Sequence, residues 1–173
     1  MERVILVDEE DNEIGTEEKM EAHRLGKLHR CFSIFIFNSK GEFLLVRRAK
    51  SKYHSGGLWT NTCCSHPRPG EDTAAAAHRR LVEEVGFNTE LHKAFTFTYR
   101  AKLDKGMTEH EFDHVFVGIF DGKAVPNPKE VDEISYVEPS ALTEDMKEHS
   151  ERYTAWFKIS LGRVLEWRKK EGA

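Results

Sequence analysis

The stretch SHPRPGEDTAAAAHRRLVEEVGF, running from Ser65 to Phe87, decides the fold. Ala is the strongest helix former, and Leu, Arg and Glu follow it closely, so residues 73–85 are predicted to be helical. Asp72 or Thr73 can cap the start with a side-chain oxygen, and Gly86 can close the end in a left-handed conformation. Arg80 and Glu84 fall one turn apart and face the same way. Arg79 and Glu83 form the neighbouring pair and are read as bracing the helix. Charged helix residues usually make a solvated face, so these pairs carry no function by themselves.

On either side of this helix the pattern is that of strands. Residues 4–8 read as a short first strand, followed by a polar turn over 9–15. The polar segment 19–26 is left without an element. Residues 31–37, rich in Phe and Ile, form a strand that Ser39-Lys40-Gly41 turns into 43–47, a hairpin signal. Residues 59–63 are read as another strand. Residues 89–103 and 112–120 are read as two long strands joined across 104–111, and a Pro-containing loop at 126–128 leads to a strand at 133–137. The last third is helical, with Tyr153, Trp156, Phe157, Ser160 and Val164 on one face. Strands on both sides of a central helix, then a terminal helix, predict an α/β class with one sheet packed between helices.

At 173 residues the chain is long enough for one domain, 1–173, with a proper core. Charged residues are 32% and apolar ones 39%, a soluble globular balance. A net charge of -4 argues against nucleic-acid binding by bulk electrostatics, because that needs a basic face. It leaves a small phosphorylated ligand open, since a few local cations suffice. No apolar run is long enough to span a bilayer, and the N-terminal MERVILVDEEDNE lacks the shape of a signal peptide. Three cysteines, two of them adjacent, make no disulfide framework; they are read as reduced thiols in a cytoplasmic protein. A monomer is the favoured state.

The spacing in 65–87 resembles the Nudix box: a Gly, a Glu after five residues, and after seven more Arg-Glu-apolar-any-Glu-Glu-any-Gly-apolar. Glu71, Arg79, Leu81, Glu83, Glu84, Gly86 and Phe87 fall on the pattern. Ser65 stands where Gly is expected, and Arg80 where Glu is expected, a charge reversal inside a metal site. These departures, with Cys64-Ser65-His66, resemble the type I isopentenyl diphosphate isomerases, and the likeness covers nearly the whole chain. It implies a Nudix-like mixed sheet and interconversion of isopentenyl and dimethylallyl diphosphate, with no redox step. No glycine fingerprint for a nicotinamide or flavin is present. Two alternatives differ in outcome. A Nudix hydrolase acting on a nucleoside diphosphate derivative would release phosphate, and Arg80 speaks against it. A Nudix domain without catalysis would bind a diphosphate ligand or a protein partner and turn nothing over.

Glu109 and Glu111, two apart at a strand start, can point to one face. The resemblance adds His23, His29 and His66, from KMEAH, KLHRCFSIFIFN and CCSHP. Three imidazoles and two carboxylates suit a six-coordinate Mn²⁺ or Mg²⁺ better than a structural Zn²⁺. His54, His78, His92, His110, His114 and His149 are read as ordinary residues. The resemblance also implies Cys64 as an acid/base group, with Cys63 in the core. Glu111 becomes the opposing acid/base group, held by Tyr99, and Trp156 the ring that stabilises a carbocation. Lys19, Arg48, Lys52 and Arg80 match the family's diphosphate contacts. Glu84 would reach a second ion, Mg²⁺ arriving with the substrate. Gly56 and Gly57, where relatives have proline before glycine, make the loop 52–59 freer.

Overall fold

The computed structural model describes residues 1–172. The chain runs β1 (Arg3–Val7), β2 (Glu13–Glu18), α1 (Lys19–Leu25), β3 (His29–Phe37), β4 (Phe43–Arg48), β5 (Trp59–Thr60), β6 (Cys63–Ser65), α2 (Thr73–Val85), β7 (Leu91–Lys102), β8 (Thr108–Ile119), β9 (Val131–Val137), α3 (Pro139–Glu148), a 3-10 turn (Ser150–Arg152) and α4 (Ala155–Glu171). Among the described residues, nine strands join one mixed sheet. β3 lies at its centre, parallel to β8 and antiparallel to β1, β4 and β6. The α/β reading therefore holds.

Alternation along β3 organises the two layers. Phe32, Ile34 and Ile36 turn to one face, where Ala76, Ala77, Leu81 and Val85 of α2 cover them. The alanines let the helix lie close, and burying Leu81 contributes about 2 kcal/mol. Asp72 caps this helix by accepting from Ala75 N at 3.0 Å. Gly86 ends it at φ 76°, and a Cβ there would meet Val125 O at 2.5 Å, so only glycine fits. Phe35 and Phe37 turn to the opposite face and pack on Trp156, Phe157, Leu161 and Val164. The odd-numbered positions of β3 and β8 share that face. Each strand is apolar there at one end (Phe35, Phe37; Val115, Val117) and polar at the other (His29, Cys31, Ser33; Glu109, Glu111, Asp113). The polar ends make the floor of the site.

Several elements depart from the sequence reading. Residues 13–18 form a strand, although they lack an apolar alternation, because β1 supplies the ladder. The unassigned segment 19–26 is the helix α1, capped by Glu18, which accepts from Met20 N and Glu21 N, and closed by Gly26 at φ 66°. Residues 59–63 split into β5 and β6. Between them Thr62 turns inward: its hydroxyl donates to Leu44 O at 2.7 Å and accepts from Ile36 N at 3.1 Å, bridging strands whose own ladder has parted. The expected loop over 104–111 is a tight turn through Lys105 (φ 56°) and Gly106 (φ 72°), which places Glu109 and Glu111 inside β8. Tyr153 precedes α4 and bridges to Trp59, so it is not on the helix.

Candidate active site

Tyr99 of β7, Glu111 of β8 and His29 of β3 stand opposite one another across three strands. Sheet register thus aims three side chains at one point. The Tyr99 hydroxyl donates to Glu111 Oε1. On Glu111 Oε2 converge His66 Nε2 at 2.7 Å and His29 Nε2 at 3.0 Å. From α1, His23 Nε2 lies 3.4 Å from Glu109 Oε2. One ligand atom from each of His23, His29, His66, Glu109 and Glu111 falls within 4.8 Å of all the others, and all five residues are buried.

Local backbone sets the imidazole tautomers. His23 Nδ1 donates to Lys19 O at 2.7 Å, one turn back, and His29 Nδ1 donates to Lys27 O at 2.8 Å. Each Nε2 is left as a lone pair facing the centre. His23 Nε2, His29 Nε2 and Glu109 Oε2 are buried without a hydrogen-bond partner. Leaving such groups unpaired costs about 1–3 kcal/mol each, and three that converge fit a divalent cation.

Electrostatics follow the same geometry. Burial alone would raise the Glu111 carboxyl, but the close polar neighbours Glu109, His29 and His66 outweigh it and hold the group well below its usual range. Glu109 moves up, through burial and the Glu111 charge. Burial lowers His66 to about 3, so its ring is neutral, as a metal ligand must be. Burial raises Cys64, against the Arg48 charge, so the sulfur keeps its proton.

One cleft is lined by Cys64, Glu111, Tyr99 and Trp156, together with Lys19, Arg48, Lys52 and Arg80. Cys64 of β6 pairs with Ser33, four positions along β3 from His29, the partner of Glu111. That separates the two rows by about 13 Å of strand, with room between their side chains. Trp156, at the start of α4, is pinned by its Nε1–H to Asn61 Oδ1 at 3.0 Å. The cations at the mouth have acidic neighbours: Lys19 pairs with Glu2 at 2.7 Å, and Arg80 with Glu130 at 3.2 Å and Glu84 at 2.9 Å. Lys52 also bonds Glu130. Glu84 is outside the histidine cluster. It accepts from Cys63 Sγ at 2.7 Å, and Cys63 otherwise packs in the core as expected.

Residues 27–157 match the model of the NUDIX domain. The isopentenyl-diphosphate Delta-isomerase 2 of Aromatoleum aromaticum is 54% identical over 171 residues, covering 99% of this chain and 90% of the relative. The chain belongs to the isopentenyl-diphosphate Delta-isomerases, within the NUDIX family. The isopentenyl-diphosphate Delta-isomerase of Serratia proteamaculans is 53% identical over 156 residues, covering 90% of this chain and 87% of the relative. Among solved structures, the Deinococcus radiodurans protein DR0079 superimposes with a TM-score of 0.80 at 20% identity, covering 94% of this chain and 98% of that one. The MutT protein of Methanosarcina mazei does so with a TM-score of 0.67 at 20% identity, covering 84% of this chain and 96% of that one. These two show the fold alone.

Within this isomerase-family fold, sequence reasoning overlooked three residues that line or support the cleft. Asn61 lies between two strands in a segment read as one. Glu130, just before β9, meets Lys52 and Arg80. His54, set aside as ordinary, is 1% exposed and lies against Glu109. Its place two residues after Lys52 was the one available signal. The loop carrying it is also less free than two glycines suggested: a Cβ on Gly56 would meet Lys50 O at 2.6 Å.

Because the cluster holds unpaired buried lone pairs, a bound ion is expected to stabilise the folded state. With Mn²⁺ at a hundred times its dissociation constant the gain is about 2.7 kcal/mol, or roughly 5–10 °C in Tm for a chain of this size. Thermal melts with Mn²⁺ against melts with a chelator measure it. Equal Tm values would remove the cluster as a metal centre.

Proposed function

We propose that the chain interconverts isopentenyl diphosphate and dimethylallyl diphosphate by proton transfer at Cys64 and Glu111. The terminal alkene carbon gains a proton, positive charge develops on the tertiary carbon, and a proton leaves the carbon on the diphosphate side. Electrons balance without an oxidant or reductant. The observation that carries this reading is one cleft with the Cys64 thiol on one wall and the Glu111 carboxylate on another.

Lys19, Arg48, Lys52 and Arg80 grip the diphosphate through charge-assisted hydrogen bonds. Its oxygens would compete with Glu2 for Lys19 and with Glu130 for Lys52 and Arg80. Arg80 suits a diphosphate that is held, because it puts a cation where a hydrolase places a carboxylate. Trp156 presents its indole to the cleft. Its attraction for a desolvated cation is worth about 2 kcal/mol, and the ring's burial at 2% exposure keeps water away. Tyr99 holds Glu111 by its Oε1 and so fixes the proton-transferring oxygen. His23, His29, His66, Glu109 and Glu111 would hold Mn²⁺ or Mg²⁺, which when bound favours the ionised carboxylate. Glu84 stands beside Arg80 and Lys52, where a Mg²⁺ carried by the diphosphate would meet it.

The isoprenoid diphosphate is the partner we propose, taken up by a cytoplasmic monomer with no nucleic-acid role. Three free cysteines suit a reducing compartment, and among the described residues no helix is long and apolar enough to cross a membrane.

Incubation with isopentenyl diphosphate and Mg²⁺ in D₂O tests the activity. Deuterium in the hydrocarbon part with the diphosphate intact is the expected result. Phosphate release would replace the reading with hydrolysis, and unchanged substrate would leave a binding domain.

A further inference from the structure

His54 belongs neither to the five-residue cluster nor to the diphosphate contacts, yet it is 1% exposed. Its Nε2 makes no directed hydrogen bond and lies 2.7 Å from Glu109 Oε1. Glu109 turns its other oxygen, Oε2, to His23 at 3.4 Å. The two carboxylate oxygens therefore face different neighbours, His54 at Oε1 and His23 at Oε2.

The imidazole is held from several sides. Arg48 donates to the His54 carbonyl from Nε at 3.3 Å and Nη2 at 3.1 Å. Ser55 N donates to Asp104 Oδ1 at 2.8 Å, and Ser55 Oγ lies 3.1 Å from His54 Nδ1. Ser55 adopts φ 53°, a conformation that L side chains rarely take and that these bonds sustain. The ring stands edge-on to Trp156, with centroids 5.6 Å apart at 85°. A hydroxyl beside Nδ1 can donate to it, which leaves the ring proton on Nε2, facing the carboxylate.

We propose that His54 is a positioning residue: the close polar contact of its Nε2–H edge with Glu109 Oε1 keeps Oε2 turned to His23 and the metal centre. It acts through Glu109 and touches no reacting atom. Outer partners of metal ligands change affinity because a free carboxylate must be ordered before it can bind an ion. The inference rests on the histidine and glutamate centre described above and deepens that reading.

The test compares His54→Leu, which lacks a donor, with His54→Gln, whose amide nitrogen reaches a similar position. Free Mn²⁺ is counted by electron paramagnetic resonance. The Mn²⁺ dissociation constant is expected to rise about 10–100-fold in His54→Leu and to stay close to wild type in His54→Gln. Unchanged binding in His54→Leu, or equal loss in both, overturns the proposal. Long-range ¹H–¹⁵N spectra of the metal-free wild-type protein decide it even if the leucine variant fails to fold. The Nε2–H tautomer is expected; an Nδ1–H tautomer would make Nε2 a bare lone pair, a ligand in its own right, and would end the positioning role. Isomerisation is assayed on the same samples. A wild type that binds Mn²⁺ but does not isomerise removes the proposed function and leaves this inference standing. A wild type that isomerises beside a His54→Leu variant with unchanged Mn²⁺ binding removes this inference alone.

Discussion

Replacing Glu111 with Gln lowers the isomerisation rate by roughly 10⁴-fold, the upper range for loss of a positioned acid/base group. Three interactions change at once. The carboxylate accepts from Tyr99 on one oxygen and meets His29 and His66 on the other. An amide keeps the shape, but its nitrogen cannot accept and its charge is gone. The group can then neither take up nor deliver a proton, and one of the five converging ligand atoms is lost. Mn²⁺ affinity therefore falls together with the rate. Diphosphate binding is expected to stay within about tenfold, because the proposed contacts Lys19, Arg48, Lys52 and Arg80 are untouched and would supply the larger share of the affinity. The rate is followed by NMR of the product methyl groups, and substrate affinity by calorimetry. A variant turning over within tenfold of wild type would take Glu111 out of the chemistry.

The second large effect separates acid/base chemistry from metal binding. Cys64→Ala is expected to lose about 10³–10⁴-fold in rate with Mn²⁺ affinity unchanged, since Cys64 is not part of the cluster. The substitution removes one sulfur from a half-buried position on β6 and leaves the β3–β6 pairing to the backbone. The fold therefore survives, and Tm moves by only a few degrees. Rate loss without metal loss is the signature of a group that moves a proton. Equal turnover by Cys64→Ala and wild type would contradict it, and so would a rate loss fully restored by excess Mn²⁺.

The two variants together read the cleft as two walls. Glu111 is anchored by the sheet row Tyr99–Glu111–His29, whereas Cys64 is anchored four positions further along β3. Their spacing is a property of strand register. Changing the gap by one residue would turn every side chain of a strand to the other face.

Legibility in the sequence followed the range of the forces involved. The helix 73–85 was readable to the residue, because propensity, an Asp cap and a terminal glycine act within a few positions. The Glu109–Glu111 pair was readable because strand periodicity is local. β2 and α1 were not: the first depends on a neighbour's ladder, and the second is a seven-residue helix set by Glu18 and Gly26. His23, His29 and His66 entered through resemblance, since nothing in spacing distinguishes them from six other histidines. His54 shows the limit. Its burial is set by distant segments, and its contact with Glu109 joins residues far apart in the chain.

The order of residues alone determined the central helix, the two-faced strands, the charge reversal at Arg80 and the family. Each is written in neighbours a few positions apart, where steric and propensity effects act. Tertiary structure alone decided which imidazoles surround Glu111, which oxygen of Glu109 faces them, and that thiol and carboxylate share one cleft. Those facts arise from register between strands and from burial. Both are settled only when distant segments exclude water together, and a linear string carries no measure of either.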